Sequence, residues 1–118
     1  MGLMSVDCLF CRIVAGAIPA HKVYEDAHVV AIRDINPQAP VHVLLISRRH
    51  VTDLVDAVGT DAALVGHLAS AAVHISRAEG LSARGFRLLT NSGADGGQVV
   101  MHLHFHLLGG REMGWPPG

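Results

Sequence analysis

The sequence predicts an α+β domain built on a mainly antiparallel sheet. Five short runs are rich in β-branched and other apolar residues and are bounded by Gly, Pro, Asn and Asp. One longer segment keeps the 3.6-residue apolar period of a helix. The element order is three runs, that helix, then two runs, which is not the regular strand–helix alternation of a parallel sheet. With 118 residues the chain can form one domain with a real core, read as residues 1–118.

Residues 1–6 read as a flexible N-terminus. Met1-Gly2 resembles the opening of a myristoylation motif, but Val6 stands where that motif has Ser or Thr. Asp7 can N-cap a short helix from Cys8 to about Ala15, closed by Gly16. Ile18-Pro19 is a turn. His21 to Tyr24 and His28 to Arg33 read as two strands of a hairpin around Glu25-Asp26-Ala27. Asn36 to Pro40 is a loop, since each Pro pushes its predecessor out of the helical region. Val41 to Ile46 is strongly β-forming. There His42, Leu44 and Ile46 share one face, and Val43 and Leu45 oppose them.

Val51 to Val58 reads as a short helix. Thr60 or Asp61 caps the long helix, roughly Ala62 to Glu79, and Gly80 stops it. Leu64, Leu68, Ala71 or Ala72, and Ile75 turn toward the sheet. His67 and His74, seven apart, share a face of that helix, read as a solvated face or a partner contact rather than a ligand pair. Phe86 to Asn91 is another strand, and Ser92 to Gly97 a glycine-rich loop. The last strand is Met101 to Leu108, and residues 109–118 form a tail ending in Trp115-Pro116-Pro117-Gly118.

That last strand carries the strongest signal. His102, His104 and His106 alternate with Met101, Leu103, Phe105 and Leu107. On a strand the three imidazoles share one face, about 6.5–7 Å apart, and the apolar set can enter a core. Such a row can bind a metal or do acid–base and nucleophilic work on an anion. The spacing alone does not separate the two. Asn91-x-Gly93-x-x-Gly96-Gly97-Gln98 runs straight into this strand. Its glycines let backbone amides approach a ligand, and Asn91 and Gln98 add side-chain donors, so the combination favours an anion such as phosphate. His104, flanked on both sides, is the best-placed nucleophile; a phosphoryl-imidazole is labile to water.

Composition narrows the classes. Net charge is -1 with nine neutral histidines. With no basic stripe, nucleic-acid binding is disfavoured. No run of 18 apolar residues and no signal-peptide layout occur, so a soluble cytoplasmic protein without membrane attachment is expected. Cys8-x-x-Cys11 is no disulfide framework; it is half a metal site, a redox pair, or two buried small hydrophobes.

His102 to Leu108 resembles the His-φ-His-φ-His-φ-φ signature (φ apolar) of the histidine-triad (HIT) superfamily. Asp34-Ile35-Asn36-Pro37-Gln38-Ala39-Pro40-Val41-His42 is similar to that family's segment after the second strand. Gly109 to Gly118 is similar to the C-terminal tail of its Hint branch. The resemblance implies a HIT-like fold: a five-stranded sheet with one long and one short helix, joined to its twin in a homodimer as one ten-stranded sheet. It implies a purine nucleoside phosphoramidase that cleaves adenosine 5′-phosphoramidates or aminoacyl-adenylates to AMP. The alternative is a purine-nucleotide-binding regulatory protein with little hydrolysis.

In that reading His104 is the nucleophile, His106 contacts phosphate near the leaving nitrogen, and His102 and His42 form the network behind it. Asn91, with Gly97, Gln98 and Val99 of the loop, faces the α-phosphate. Asp34 accepts from the ribose hydroxyls. Leu9, Phe10, Ile13, Ile32, Ile35 and Leu44 line the base pocket, although as bare residues they could equally be core. Trp115 anchors the tail at the partner's site. No cofactor is required for catalysis. Cys8, Cys11, His50 and His102 resemble a structural zinc site of some members. Two departures stand out. Val99 replaces a Ser or Thr that contacts phosphate in many Hint relatives, and Ile32 is aliphatic where relatives can be aromatic.

Overall fold

The computed structural model describes residues 8–118. The expectations for residues 1–6 and for Asp7 as a cap lie outside them. In chain order the elements are α1 (Leu9–Val14), β1 (Lys22–Glu25), β2 (Val29–Arg33), β3 (Val41–Ser47), α2 (Leu54–Asp61), α3 (Ala63–Ala78), β4 (Arg87–Leu89) and β5 (His104–Gly109). The expected α+β architecture forms, with every strand pair antiparallel in the order β1-β2-β3-β5-β4.

Three helices form among the described residues, as the residue pattern predicts, where the family resemblance implied one long and one short; the one read at Val51 to Val58 runs instead from Leu54 to Asp61. Leu54–Asp61 is a helix in its own right, capped by Asp53, whose carboxylate accepts from the Asp56 N–H. Thr60 and Asp61 therefore do not cap α3. The Thr60 hydroxyl donates to the Asp56 carbonyl, and Asp61 pairs with Arg49. The start of α3 follows Ala62 directly, with no side-chain cap. Gly80 ends α3 as expected, at φ +75°. Cys8 caps α1, its Sγ accepting from the Cys11 N–H at 3.3 Å.

Both faces of the sheet are buried. Val29, Ala31, Val43, Leu45 and Leu107 pack under α3, which contributes Leu64, Leu68, Ala71, Ala72 and Ile75 at helical spacing. Val30, Ile32, Leu44 and Ile46 face α1, where Phe10 and Ile13 meet them. The expected face assignment of β3 therefore holds. Two-sided burial explains why β2 reads as a continuous apolar run rather than an alternating one. Leu103, Phe105 and Leu107 enter the α3 side of the core, but Met101 is 49 % exposed. No described helix is long and apolar enough to cross a membrane.

Candidate active site and metal centre

The histidine row is shorter than its sequence pattern. β5 pairs with β3 from His104↔Ile46 to Gly109↔Val41. Beyond Ser47 the β3 chain turns away, its Arg48 N–H donating to the His28 carbonyl. Residues before His104 therefore have no ladder to join. Leu103 is tied instead to Ser47 and Val51. His102 stands in a bend ahead of the strand and is completely buried, its ring edge-on to Phe10 with centroids 5.9 Å apart. His104 and His106 remain on the α1 side of the sheet.

Acceptor-only partners determine the ring protons. The His104 Nδ1 lies 2.7 Å from the His102 carbonyl oxygen, which can only accept. Nδ1 therefore carries the hydrogen, and Nε2 keeps a lone pair. The Gln38 N–H donates to His42 Nδ1 at 3.0 Å, so His42 holds its proton on Nε2. That Nε2 is 2.9 Å from His106 Nδ1 and 3.4 Å from the Asp34 carboxylate. His106 Nδ1 thus accepts, leaving a donor at its own Nε2. The result is a directed chain from the Gln38 amide through His42 to His106.

Burial holds these rings neutral. It pushes His106 down to about 4, helped by repulsion from His104 and His42 and opposed by Asp34. Burial likewise lowers His42 against the pull of Asp34. Burial also lowers His104, opposed by the His102 carbonyl and Asp34. A neutral His104 with its lone pair on Nε2 is a competent nucleophile.

His104 and His106 line a cleft of about 290 Å3 with Asn91, Gly97, Val99 and Val100. Leu9, Phe10, Asp34 and Leu44 border both this cleft and an apolar one of about 410 Å3. All six residues assigned to a base pocket, Leu9, Phe10, Ile13, Ile32, Ile35 and Leu44, line the apolar cleft. Ile18, Pro19, Ala20, His21 and Arg33 line it too and were missed, because Ile18-Pro19 signals only a turn. Asp34 stands between the two halves, with Oδ1 accepting from the Asn36 N–H. Asn91 makes no hydrogen bond to a described residue.

The loop amides differ from the expected nest. The Gly97 and Gln98 N–H groups are spent on the carbonyls of Ala94 and Gly93. The Gln98 side chain is buried, donating to the Thr52 and Val100 carbonyls and accepting from the Gly93 N–H. It braces the loop and does not line the cleft. The Val99 and Val100 N–H groups have no partner among the described residues, and both residues border the histidines. Sequence gave no signal for them, since any residue carries an amide. Trp115 is 84 % exposed and lies outside both clefts.

Beside this cleft a second constellation converges. His102 Nε2 donates to the Ser47 carbonyl at 2.7 Å, so Nδ1 presents a lone pair. Around it stand Cys8 Sγ at 3.3 Å, Cys11 Sγ at 3.6 Å and His50 Nδ1 at 3.1 Å. Cys11 Sγ and His50 Nδ1 are 3.1 Å apart. Zinc bonds of about 2.0–2.3 Å imply tetrahedral edges of about 3.3–3.8 Å. The donor set and spacing therefore fit zinc, which these four groups would hold as a structural ion. Among the described residues, metal-competent groups fall into two separate sets: Cys8, Cys11, His50 and His102, and Asp34, His42 and His106. The three histidines of the row do not form a ligand set together.

An antiparallel sheet whose last strand delivers alternating histidines beneath a glycine-rich loop is the architecture of the histidine-triad proteins. The chain belongs to the HIT domain family, whose profile matches residues 15–113. An uncharacterized HIT-like protein of Synechococcus elongatus is 48 % identical over 115 residues, spanning 98 % of this chain and 100 % of that protein. The crystal structure of a HIT family hydrolase from Legionella pneumophila superposes with a TM-score of 0.91 at 48 % identity, covering 95 % of this chain and 100 % of that one. A Zn-bound histidine triad family protein from Mycobacterium smegmatis matches at a TM-score of 0.80 and 37 % identity, over 89 % of this chain and 76 % of that one.

Proposed function

We propose that the chain is a Hint-type nucleoside phosphoramidase that cleaves adenosine 5′-phosphoramidates or aminoacyl-adenylates to AMP. The observation that carries this reading is the 2.7 Å bond from His104 Nδ1 to the His102 carbonyl, which leaves the Nε2 lone pair on a residue of the cleft. His104 Nε2 attacks the α-phosphorus and the P–N bond breaks. The leaving amine takes its proton from water, and the hydroxide so formed is the species that later attacks the nucleotidyl-histidine, while His106 Nε2–H, oriented by His42, donates a hydrogen bond to the phosphate near the leaving nitrogen. Water hydrolyses the nucleotidyl-histidine, releasing AMP and restoring His104.

In this reading the Asn91 amide and the unpaired amides of Val99 and Val100 receive the phosphate oxygens. Asp34 accepts from the ribose hydroxyls, and the apolar cleft takes the base. Cys8, Cys11, His50 and His102 would hold a structural zinc; when bound it supplies a crosslink between α1 and the sheet. Zinc-bound thiolates suit a reducing compartment such as the cytoplasm. A homodimer through the β4 edge is supported by that edge's position in the sheet and by exposed Phe86 beside it. Arg87 of β4 donates to the Gly114 carbonyl, which supports a tail carried along the same edge toward a partner.

The test is steady-state hydrolysis of adenosine 5′-phosphoramidate by wild type and His104→Ala, with and without EDTA. Turnover that EDTA does not abolish, even where metal loss slows it, and that vanishes in the variant is expected. Wild type that binds AMP without turning over refutes it in favour of the second reading, a nucleotide-binding protein. That reading is favoured by one observation: Val99, 87 % exposed in the cleft, offers phosphate no hydroxyl.

A further inference from the structure

The Cys/His cluster and the nucleophile share His102. Its ring faces the cluster through Nδ1, while its backbone carbonyl receives the His104 Nδ1 hydrogen. Its remaining nitrogen is tied to the Ser47 carbonyl, and the residue is fully buried. His102 precedes β5, and outside the sheet ladder the peptide carrying its carbonyl is held at its other end by the Leu103 N–H, which donates to the Val51 carbonyl at 2.8 Å, so the His102 ring is its second anchor. A second contact runs the same way. Phe10 lies between the two cysteines on α1 and meets the His104 ring edge-on, centroids 4.8 Å apart. It meets His102 at 5.9 Å. Since α1 has only six residues, its placement depends on its anchors.

We propose that Cys8, Cys11 and His50 are positioning residues for His104. By gripping His102 around a shared divalent metal, they fix the carbonyl that keeps the His104 hydrogen on Nδ1 and its lone pair in the cleft. They also hold Phe10 against its ring. The cluster therefore sets the geometry of the reacting atom as well as the stability of the fold. The kinetic part rests on His104 being the nucleophile of the proposed phosphoramidase. The tautomer part does not.

The experiment compares zinc-loaded wild type, wild type stripped by chelation, Cys8→Ser and Cys8→Asp. Ser and Asp both retain the N-cap bond to the Cys11 N–H. Only Asp restores an anionic oxygen ligand. Circular dichroism selects a temperature at which each form is folded. The His104 ring is then read by 15N-histidine NMR, with kcat measured in parallel.

The zinc-loaded protein should show one His104 tautomer, protonated at Nδ1. Stripping and Cys8→Ser should give mixed tautomers and a kcat lower by about 10- to 100-fold, the scale of a 1 Å misplacement. Zinc-loaded Cys8→Asp should recover both. If Cys8→Ser does not fold, stripped wild type stands in for it. An unchanged tautomer in the folded metal-free protein overturns the proposal, with or without loss of kcat, as does a wild type that binds no zinc. A tautomer change in a wild type without turnover refutes the phosphoramidase reading and leaves the positioning role standing.

Discussion

Gly96→Ala tests whether the glycine-rich loop is a shaped phosphate holder or merely a connection. Gly96 needs no unusual φ, so the constraint on it is space. A Cβ there would lie 2.5 Å from the Ser92 carbonyl oxygen, 3.0 Å from its nitrogen and 3.1 Å from its carbonyl carbon. All three are backbone atoms, so no rotamer relieves the clash. The loop must open by about 0.9 Å to reach ordinary contact, a kind of overpacking that costs about 1–3 kcal/mol. The opening strains the bonds from Gly97 to Ala94 and from Gly93 to Gln98, which carry Val99 and Val100 into the cleft. A displacement of that size lowers kcat/KM by about 10- to 100-fold.

The assays are phosphoramidate kinetics and urea denaturation, with Gly59→Ala as control. That residue sits in α2 with nothing within 4 Å of its Cβ position. Its substitution should stabilise the protein by about 0.5–1 kcal/mol and leave kcat/KM unchanged. Gly96→Ala with wild-type kinetics and a wild-type denaturation midpoint would refute the reasoning.

Three further outcomes are expected. Val99→Ser adds a hydroxyl in the cleft, worth about 0.5–1.5 kcal/mol, and should raise kcat/KM by about 2- to 10-fold; unchanged kinetics count against a phosphate contact there. His106 titrates near 4 in the fold against 6.5 in the unfolded chain, and His42 is also lowered. Unfolding below pH 6.5 therefore takes up protons that the native state refuses. Stability is complete above that pH and falls toward pH 4, by up to roughly 1.4 kcal/mol per pH unit per histidine. Denaturation midpoints from pH 7.5 to 4.5 should fall less steeply in His106→Phe, and equal slopes would sink the assignment. Protein purified without a His-tag should contain close to one zinc per chain, and chelation should lower its Tm; less than about 0.1 zinc per chain with both cysteines reduced excludes the site.

The order of the elements was legible because periodicity is local. Leu64, Leu68, Ala71 and Ile75 keep helical spacing and are buried as that spacing requires. The partition of β3 between Val43 and Leu45 on one side and Leu44 and Ile46 on the other follows from pleat alone. Where the reading missed, a neighbouring element took the residues: Asp53 caps α2, which runs on to Asp61, so Thr60 and Asp61 close that helix and α3 starts without a side-chain cap.

By itself the sequence determined which residues of β3 and α3 share a face, where α3 stops and which chemistry the His-φ-His pattern can carry. Each is a property of a few neighbours along the chain. Only the tertiary structure decided that His102 serves the cysteines rather than the row. Alternation in the sequence runs on past His104, but a strand lasts only while its neighbour offers hydrogen bonds. β3 stops offering them at Ser47. The same holds for the tautomers of His42 and His104, set by a Gln38 amide and a His102 carbonyl. No side-chain pattern encodes them, because every residue carries those backbone groups and only the fold chooses which ones face a ring.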